Sequence, residues 1–405
     1  QLTFKSLPSS KEKWLSDKVL PSSPSSVVFS PDGTNVVVLS GPSGVVLLDG
    51  DTGVRLDGDT GSRPSGDDCI SAVAFSLPLA GKRPIMATAF KSDMSNVDNG
   101  RNVLTCVDFM GSFPDGITRW ETEVPNAITA ATFSSDGRLL FTADSSCLTR
   151  MHFVGTGDVI WEQRVTSLVN SVAFSPSGIF VLQGKTDGST NIIDAYDGTS
   201  AYQIGSENVA GRVNHVAFSP DGHNIALGCD YGTSLLQFGN GPNMERVALD
   251  QVCSGSSRLT SATFNACNTL LACVTESFSL VLYNAKTGKL KWTAACATSH
   301  QQIEAAKGYL ESSIDGNSPA IKIVFSPNDE LIAVGGPRRQ FMLFNASDGS
   351  VVGDLPPSQT LAFSPDSDAI VLWTAATGLC LIKGVKSARW RAVDGSAEYK
   401  FQDKL

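Results

Sequence analysis

Gly184-Lys185-Thr186 has the composition that closes a phosphate-binding loop, in which backbone N–H groups cradle an anion and the lysine reaches the outer phosphates. The nearest upstream glycine, Gly178, stands one residue too far away. The flanking residues read as strands, so no helix N-terminus follows to hold a phosphate. Leu-Asp-Gly-Asp-Thr-Gly occurs twice, at 48–53 and 56–61, with Asp67 and Asp68 close behind. Alternating carboxylates in a glycine-bearing loop are how hard cations are held. Each copy nevertheless lacks the third carboxylate and the distal glutamate, and Asp-Gly pairs are ordinary turn chemistry. Cys296 and His300 stand four apart and His215 and His223 eight apart, without the third ligand a zinc site needs nearby in sequence. His215 precedes Phe218 in an alternating strand and reads as a core or channel histidine. The Gly-x-Ser-x-Gly elbow, the His-Glu-x-x-His helix and the C-x-x-C pair are missing. These patterns assign no catalytic residue, no metal ligand and no cofactor; catalysis would require side chains converging from separate parts of the chain.

Composition narrows the classes further. The chain of 405 residues is 41% hydrophobic and 18% charged, enough to bury a large core. Its longest apolar runs, such as Val36 to Leu39 and Ile179 to Leu182, fall far below the roughly 18 residues of a membrane-spanning helix. The first twenty residues carry lysines and serines without the apolar block of a signal peptide. Nine scattered cysteines, odd in number, fit the reduced thiols of a cytoplasmic protein better than a disulfide scaffold. The single glycosylation sequon, Asn345-Ala346-Ser347, does not change that expectation. Thirty-one basic against forty acidic side chains give a net charge of −9, which disfavours a nucleic-acid partner.

What must position any site is a repeat. Eight copies of an alternating apolar strand end in Phe and a small polar residue: Phe29-Ser30, Phe75-Ser76, Phe133-Ser134, Phe174-Ser175, Phe218-Ser219, Phe264-Asn265, Phe325-Ser326 and Phe363-Ser364. The Phe residues are spaced 46, 58, 41, 44, 46, 61 and 38 apart, a unit of forty-odd residues with two enlarged copies. Turns such as Pro31-Asp32-Gly33 and Pro220-Asp221-Gly222 follow, where Pro presets φ and Gly supplies positive φ. A second apolar strand comes next, as at Leu139 to Ala143, and a polar loop leads to a third, as at Ser279 to Tyr283. Turns closing on glycine, among them Asp51-Thr52-Gly53 and Asp348-Gly349, then introduce a fourth strand that often carries Trp: Trp120, Trp161 and Trp292. Four antiparallel strands per repeat cannot bury both faces alone, whereas radial packing of neighbouring sheets does so. The expected fold is all-β, a single β-propeller of four-stranded antiparallel blades, with eight blades favoured over seven.

Phe-Ser-Pro-Asp-Gly followed by an apolar strand resembles the WD40 repeat, over essentially all of residues 25 to 385. The Trp-Asp dipeptide is absent, its place read as Leu48-Asp49, Tyr196-Asp197, Tyr283-Asn284 and Phe344-Asn345, and the opening Gly-His pair is missing. Residues 284 to 292, Asn-Ala-Lys-Thr-Gly-Lys-Leu-Lys-Trp, are similar to a blade turn of the eight-bladed quinoprotein propellers. The resemblance implies a non-enzymatic protein–protein interaction scaffold within a larger intracellular assembly, with protein or peptide partners. The alternative is a propeller enzyme, or a ligand- or metal-binding protein, with its site at the central channel mouth.

In such propellers the Pro-Asp-Gly and Asp-x-x-Gly turns share one face, and the second-to-third-strand loops share the other with the connections between blades. That second face collects the long insertions 57–69, 91–101 and 296–319; loops beyond about 12 residues are commonly functional or disordered. Candidate partner contacts in the second-to-third-strand loops are Asp144, Lys185, Asp187, Asp230, Tyr231, Arg338 and Arg339. The two adjacent arginines stand out in an acidic chain. Ile303, Ala306, Leu310 and Ile314 recur at helical spacing in the last insertion, a short amphipathic helix that Gly308 weakens by about 1 kcal/mol. The layout expected is an N-terminal strand and linker over 1–24, a propeller over 25–393 and a tail over 394–405. The alternation of Leu2 and Phe4 with Thr3 and Lys5 predicts a strand at 2–6 that closes the last blade against Leu379 to Lys383, with Ala388 to Val393 as the competing candidate.

Overall fold

The computed structural model describes residues 12–16, 24–29, 33–40, 44–53, 69–75, 85–91, 102–108, 118–204, 211–230, 232–238, 244–247, 259–275, 279–296, 322–335, 339–358, 360–374, 378–383, 385, 389–393 and 398–402. Their elements are antiparallel strands, and each of the eight Phe motifs ends the first strand of its own sheet. The first sheet comprises Pro24–Phe29, Asn35–Ser40 and Gly44–Asp49, and the second Cys69–Phe75, Ile85–Lys91, Asn102–Asp108 and Thr118–Val124. The third comprises Ile128–Phe133, Leu139–Asp144, Leu148–Phe153 and Val159–Arg164, and the fourth Val169–Phe174, Phe180–Lys185, Thr190–Asp194 and Ser200–Ile204. Val213–Phe218, Asn224–Cys229, Gly232–Phe238 and Met244–Val247 form the fifth; Leu259–Phe264, Leu270–Thr275, Ser279–Asn284 and Leu290–Ala295 form the sixth. The seventh holds Lys322–Phe325, Leu331–Gly335, Arg339–Asn345 and Val351–Ser358, and the eighth Thr360–Phe363, Ala369–Thr374 and Gly378–Lys383.

Second strands are apolar on both faces because both faces are covered. Leu139–Asp144, Asn224–Cys229 and Leu270–Thr275 are buried at every position, whereas the fourth strand Val159–Arg164 is exposed at all but Trp161. Where it is described, the small polar residue after the Phe has a local task. Ser134 Oγ donates to Asp136 Oδ1 at 2.6 Å and accepts from Leu139 N at 2.9 Å, closing the first turn; Ser219 and Ser326 repeat this arrangement.

The chain divides into two compact units. One covers 62–276 and 281–291 and holds the second to fifth sheets with much of the sixth. Its first strands pack side by side, and apolar clusters fill each space between successive sheets, such as Leu139, Phe141, Met151, Val181 and Ile193 between the third and fourth. Fourth-strand tryptophans tie neighbours together. Trp120 Nε1 donates to Val154 O at 2.8 Å and Trp161 Nε1 to Ala195 O at 2.9 Å, each across to the next sheet. The other unit covers 1–61, 277–280 and 292–405, and there Trp292 Nε1 donates to Ala346 O at 3.1 Å in the same way. Clusters around Leu343, Leu361 and Ile370, and around Val36, Val371 and Leu381, join the seventh, eighth and first sheets.

In this second unit the edge beside Gly378–Lys383 is taken by Glu12–Ser16, with Trp14 opposite Leu381 and Leu15 opposite Cys380. That strand lies in the segment read from sequence as linker; residues 2–6 lie outside the described residues. Arg389–Val393, the competing candidate, pairs instead with Glu398–Gln402 as a two-stranded hairpin, so the segment read as a tail contributes a strand.

Candidate functional site

Two sets of backbone bonds define the ends of the sheets where their turns and loops are described. At one end the residue after the third strand donates to the residue before the second: Val154 N to Arg138 O at 2.8 Å, Ala195 N to Ile179 O at 2.7 Å and Ala285 N to Thr269 O at 3.0 Å. This brings the first and last turns of a sheet together as a turn edge. At the opposite end the second-to-third-strand loop donates to the connection arriving from the preceding sheet. Ser145 N bonds Ala127 O at 2.9 Å, Thr186 N bonds Leu168 O at 3.0 Å and Asp230 N bonds Arg212 O at 3.1 Å. These loops of the third, fourth and fifth sheets make a loop edge carrying four of the candidate residues.

Asp144 ends a second strand and its side chain is wholly buried. Oδ1 accepts from Ser146 N, Ser146 Oγ and Leu148 N at 2.8, 2.8 and 3.0 Å. Arg150 Nη1 lies 3.5 Å from Oδ2, and Arg150 Nε donates to Glu162 at 2.7 Å. Burial works against the Asp144 charge, but the hydrogen bonds from Ser146, Leu148 and Asn126 outweigh it and hold the carboxyl below its ordinary range. Lys185 is also buried, and with the Asn191 amide oriented to satisfy both its ends, Nζ donates to Asn191 Oδ1 at 3.1 Å. Burial lowers the Lys185 pKa, with Asp187 working the other way. Asp187 is exposed and caps its own turn through Ser189 N at 2.9 Å and Ser189 Oγ at 2.7 Å. Asp230 accepts from Asn214 Nδ2 at 2.9 Å and Arg212 N at 3.2 Å.

Asp144 and Lys185 therefore brace the edge from inside, while Arg164, Thr166, Leu168, Asp187 and Arg212 on the same edge are exposed. Arg339 opens the strand Arg339–Asn345 instead of lying in the loop before it. Tyr231 and Arg338 lie outside the described residues, as do Ile303, Leu310 and Ile314 of the expected helix and His300.

The other motifs resolve into structure. Gly184 lies within a strand, where a Cβ would meet Val213 Cγ1 at 2.5 Å; close packing on the fifth sheet, not phosphate, requires glycine there. Asp49 caps its own turn through Asp51 N and Thr52 N at 3.0 and 2.6 Å. The matching residue of the fourth sheet is Asp194, which accepts from Tyr196 N at 2.8 Å, and not Asp197 as the Tyr196-Asp197 reading had it. Burial pushes the Cys296 thiol up to about 12, which disfavours the thiolate a metal requires. Among the described residues, no three His, Cys, Asp or Glu side chains gather as a metal site, and no helix is long and apolar enough to cross a membrane.

Sequence reasoning passed over the polar interior of the third sheet. His152 is buried, with Nε2 3.1 Å from Thr142 Oγ1 and its ring stacked on Trp120 at 6.0 Å between centroids. The available signal was Thr142 and Asp144 alternating in one buried strand with Arg150 and His152 opposite in the next.

No protein-family model matches the chain, and no curated protein matches it. Solved structures do. The β-propeller domain of Cps50 (Swd1) from Myceliophteria thermophila superposes with a TM-score of 0.54 at 12% identity, covering 93% of this chain and 99% of that one. At that identity the likeness concerns architecture, and it agrees with the repeated sheets, the apolar packing between them and the tryptophan ties. The chain has the all-β fold of a β-propeller built from four-stranded antiparallel blades.

Proposed function

We propose that this chain is a non-enzymatic protein-interaction scaffold, a subunit of a larger assembly, that receives a protein partner on the loop edge of its third, fourth and fifth sheets. The reading rests on one observation: three consecutive loops are anchored, at Ser145, Thr186 and Asp230. Each is tied by its backbone to the preceding connection and carries a carboxylate held in local hydrogen bonds, Asp144, Asp187 and Asp230. A surface already ordered does not lose loop entropy on binding, which favours affinity from modest contacts. Exposed Asp187, Arg164 and Arg212 supply charges of both signs on the edge that also carries Leu168, which is 39% exposed. Arg338 and Arg339 belong to the same proposal as a second group of contacts, and eight blades as the arrangement presenting them.

Substituting Thr166→Lys, Leu168→Glu and Arg212→Glu together keeps Asp144, Lys185 and the Asp187 turn cap and changes the outward relief. The expected result is loss of a stoichiometric partner from affinity-purified material, measured by quantitative mass spectrometry, with an unchanged melting temperature. Retention of every partner by the triple variant removes the loop edge from the proposal.

A further inference from the structure

The turn edge of the third and fourth sheets departs from the chain's own repeat at three neighbouring positions, and each departure exposes an apolar side chain. The residue opening the last turn is Asp49, Asp194, Asn284 or Asn345 in four sheets, and each side chain accepts backbone N–H groups of that turn. In the third sheet it is the apolar Phe153, where the register places Gln237 in the fifth sheet and Lys383 in the eighth, although the turn keeps the same backbone bond, Gly157 N to Phe153 O at 2.8 Å. The carbonyl that receives the turn-edge bond belongs to Thr34, Arg138, Thr269, Glu330 and Asp368 elsewhere, and to Ile179 in the fourth sheet. Two residues beyond the opening position stand Asp51, Gly155, Lys286 and Ser347, and in the fourth sheet Tyr196.

Phe153 is 43% exposed, Ile179 44% and Tyr196 59%. They are adjacent through bonds already described. Ala195, next to Tyr196, donates to Ile179 and accepts from Trp161, whose strand begins with the exposed Val159 and Ile160, and that strand follows directly from the turn of Phe153. A local rule broken three times at one place, at the cost of a turn cap and with aromatic and aliphatic surface left in water, marks a contact surface.

The charges around it select the occupant. The four turns of these two sheets, 134–138, 153–159, 175–179 and 194–200, carry Asp136, Asp158, Asp194 and Asp197 against Arg138 alone, four negative minus one positive, or −3. We propose that this turn edge is a second docking surface, for a protein segment that presents an apolar side chain between lysines or arginines; complementary charge favours that segment and repels an acidic one. The surface lies at the opposite end of the sheets from the loop edge and does not depend on it.

An array of nonapeptides with Leu, Phe, Trp or Ser at the centre and Lys, Glu or Ser on both sides, probed with the full chain, tests the proposal. The variant Phe153→Asn, Ile179→Thr, Tyr196→Ser places at each position a residue type that the chain itself uses there in another sheet; Tyr196→Ser alone serves if the triple variant melts early. Expected is binding to apolar-centred, lysine-flanked peptides, at least ten-fold weaker with glutamate flanks, lost in the variant and kept when the loop edge is substituted. Absence of such binding, indifference to flanking charge, or undiminished binding by the variant would overturn it. So would sedimentation showing the wild-type chain as a dimer that the variant dissociates, since the occupant would then be a second copy.

Discussion

Gly157 has φ of +83°, and a Cβ there would meet the Trp120 ring at 2.7 Å, so the glycine serves both the turn and the bond from Trp120 to Val154. Gly157→Ala is expected to cost about 2–4 kcal/mol, from left-handed backbone strain and displacement of the indole together. Urea unfolding of this variant beside Trp120→Phe, which loses the hydrogen bond and part of the indole that packs on His152, about 1–3 kcal/mol together, measures the difference. At this scale the sequence was half informative. Trp120, Trp161 and Trp292 were placed on fourth strands by their distance from the glycine turns, but their acceptors lie 34 to 54 residues away and leave no local trace. Asp144 and Lys185 were picked as outward contacts because polar residues at a strand end read as loop. The partners that hold them inside, Arg150 and Asn191, become neighbours only through strand pairing.

Among the elements, first strands were the most legible, since alternation and the terminal Phe recur in each and a turn signal follows in most. The strand Glu12–Ser16 was the least legible: Glu-Lys-Trp-Leu-Ser has no period-two pattern, and its strand character comes from pairing with residues more than 360 positions away. The eighth sheet needs it because Gly378–Lys383 would otherwise present an unpaired edge. Removing residues 1–17 should lower the melting temperature below that of a chain lacking only residues 1–11 by on the order of 5 °C and promote association through the bared edge. Equal melting of the two truncations, followed by circular dichroism, would show that the strand contributes nothing to stability.

For the whole molecule, burial lowers the pKa of His152, with Arg150 adding to the effect and the Gly157 carbonyl opposing it, and burial alone lowers that of His215. Both are neutral in the folded protein at a pH where the unfolded chain, titrating near the ordinary 6.5, takes up protons. Their contribution to stability is therefore complete above pH 6.5 and declines as pH falls below it. Denaturant unfolding at pH 7.5, 6.5 and 5.5 should show that decline, and His152→Gln with His215→Gln should flatten it. The carboxylates held below their ordinary range, Asp144 and Asp187 among them, lose their contribution only under more acid conditions, so the two windows separate. Two further surfaces follow from the same architecture: a loop edge braced from within by buried polar groups, and a turn edge where the repeat gives up a cap to expose apolar side chains. In the proposed function the propeller works by holding proteins on its edges. Photo-cross-linking residues placed at 168 and 187 in the intact chain, with native mass spectrometry of the same purified material, test it most directly. A covalent adduct to one defined protein from both positions is the predicted result; no adduct, with a stoichiometric small molecule retained by the chain, would contradict it.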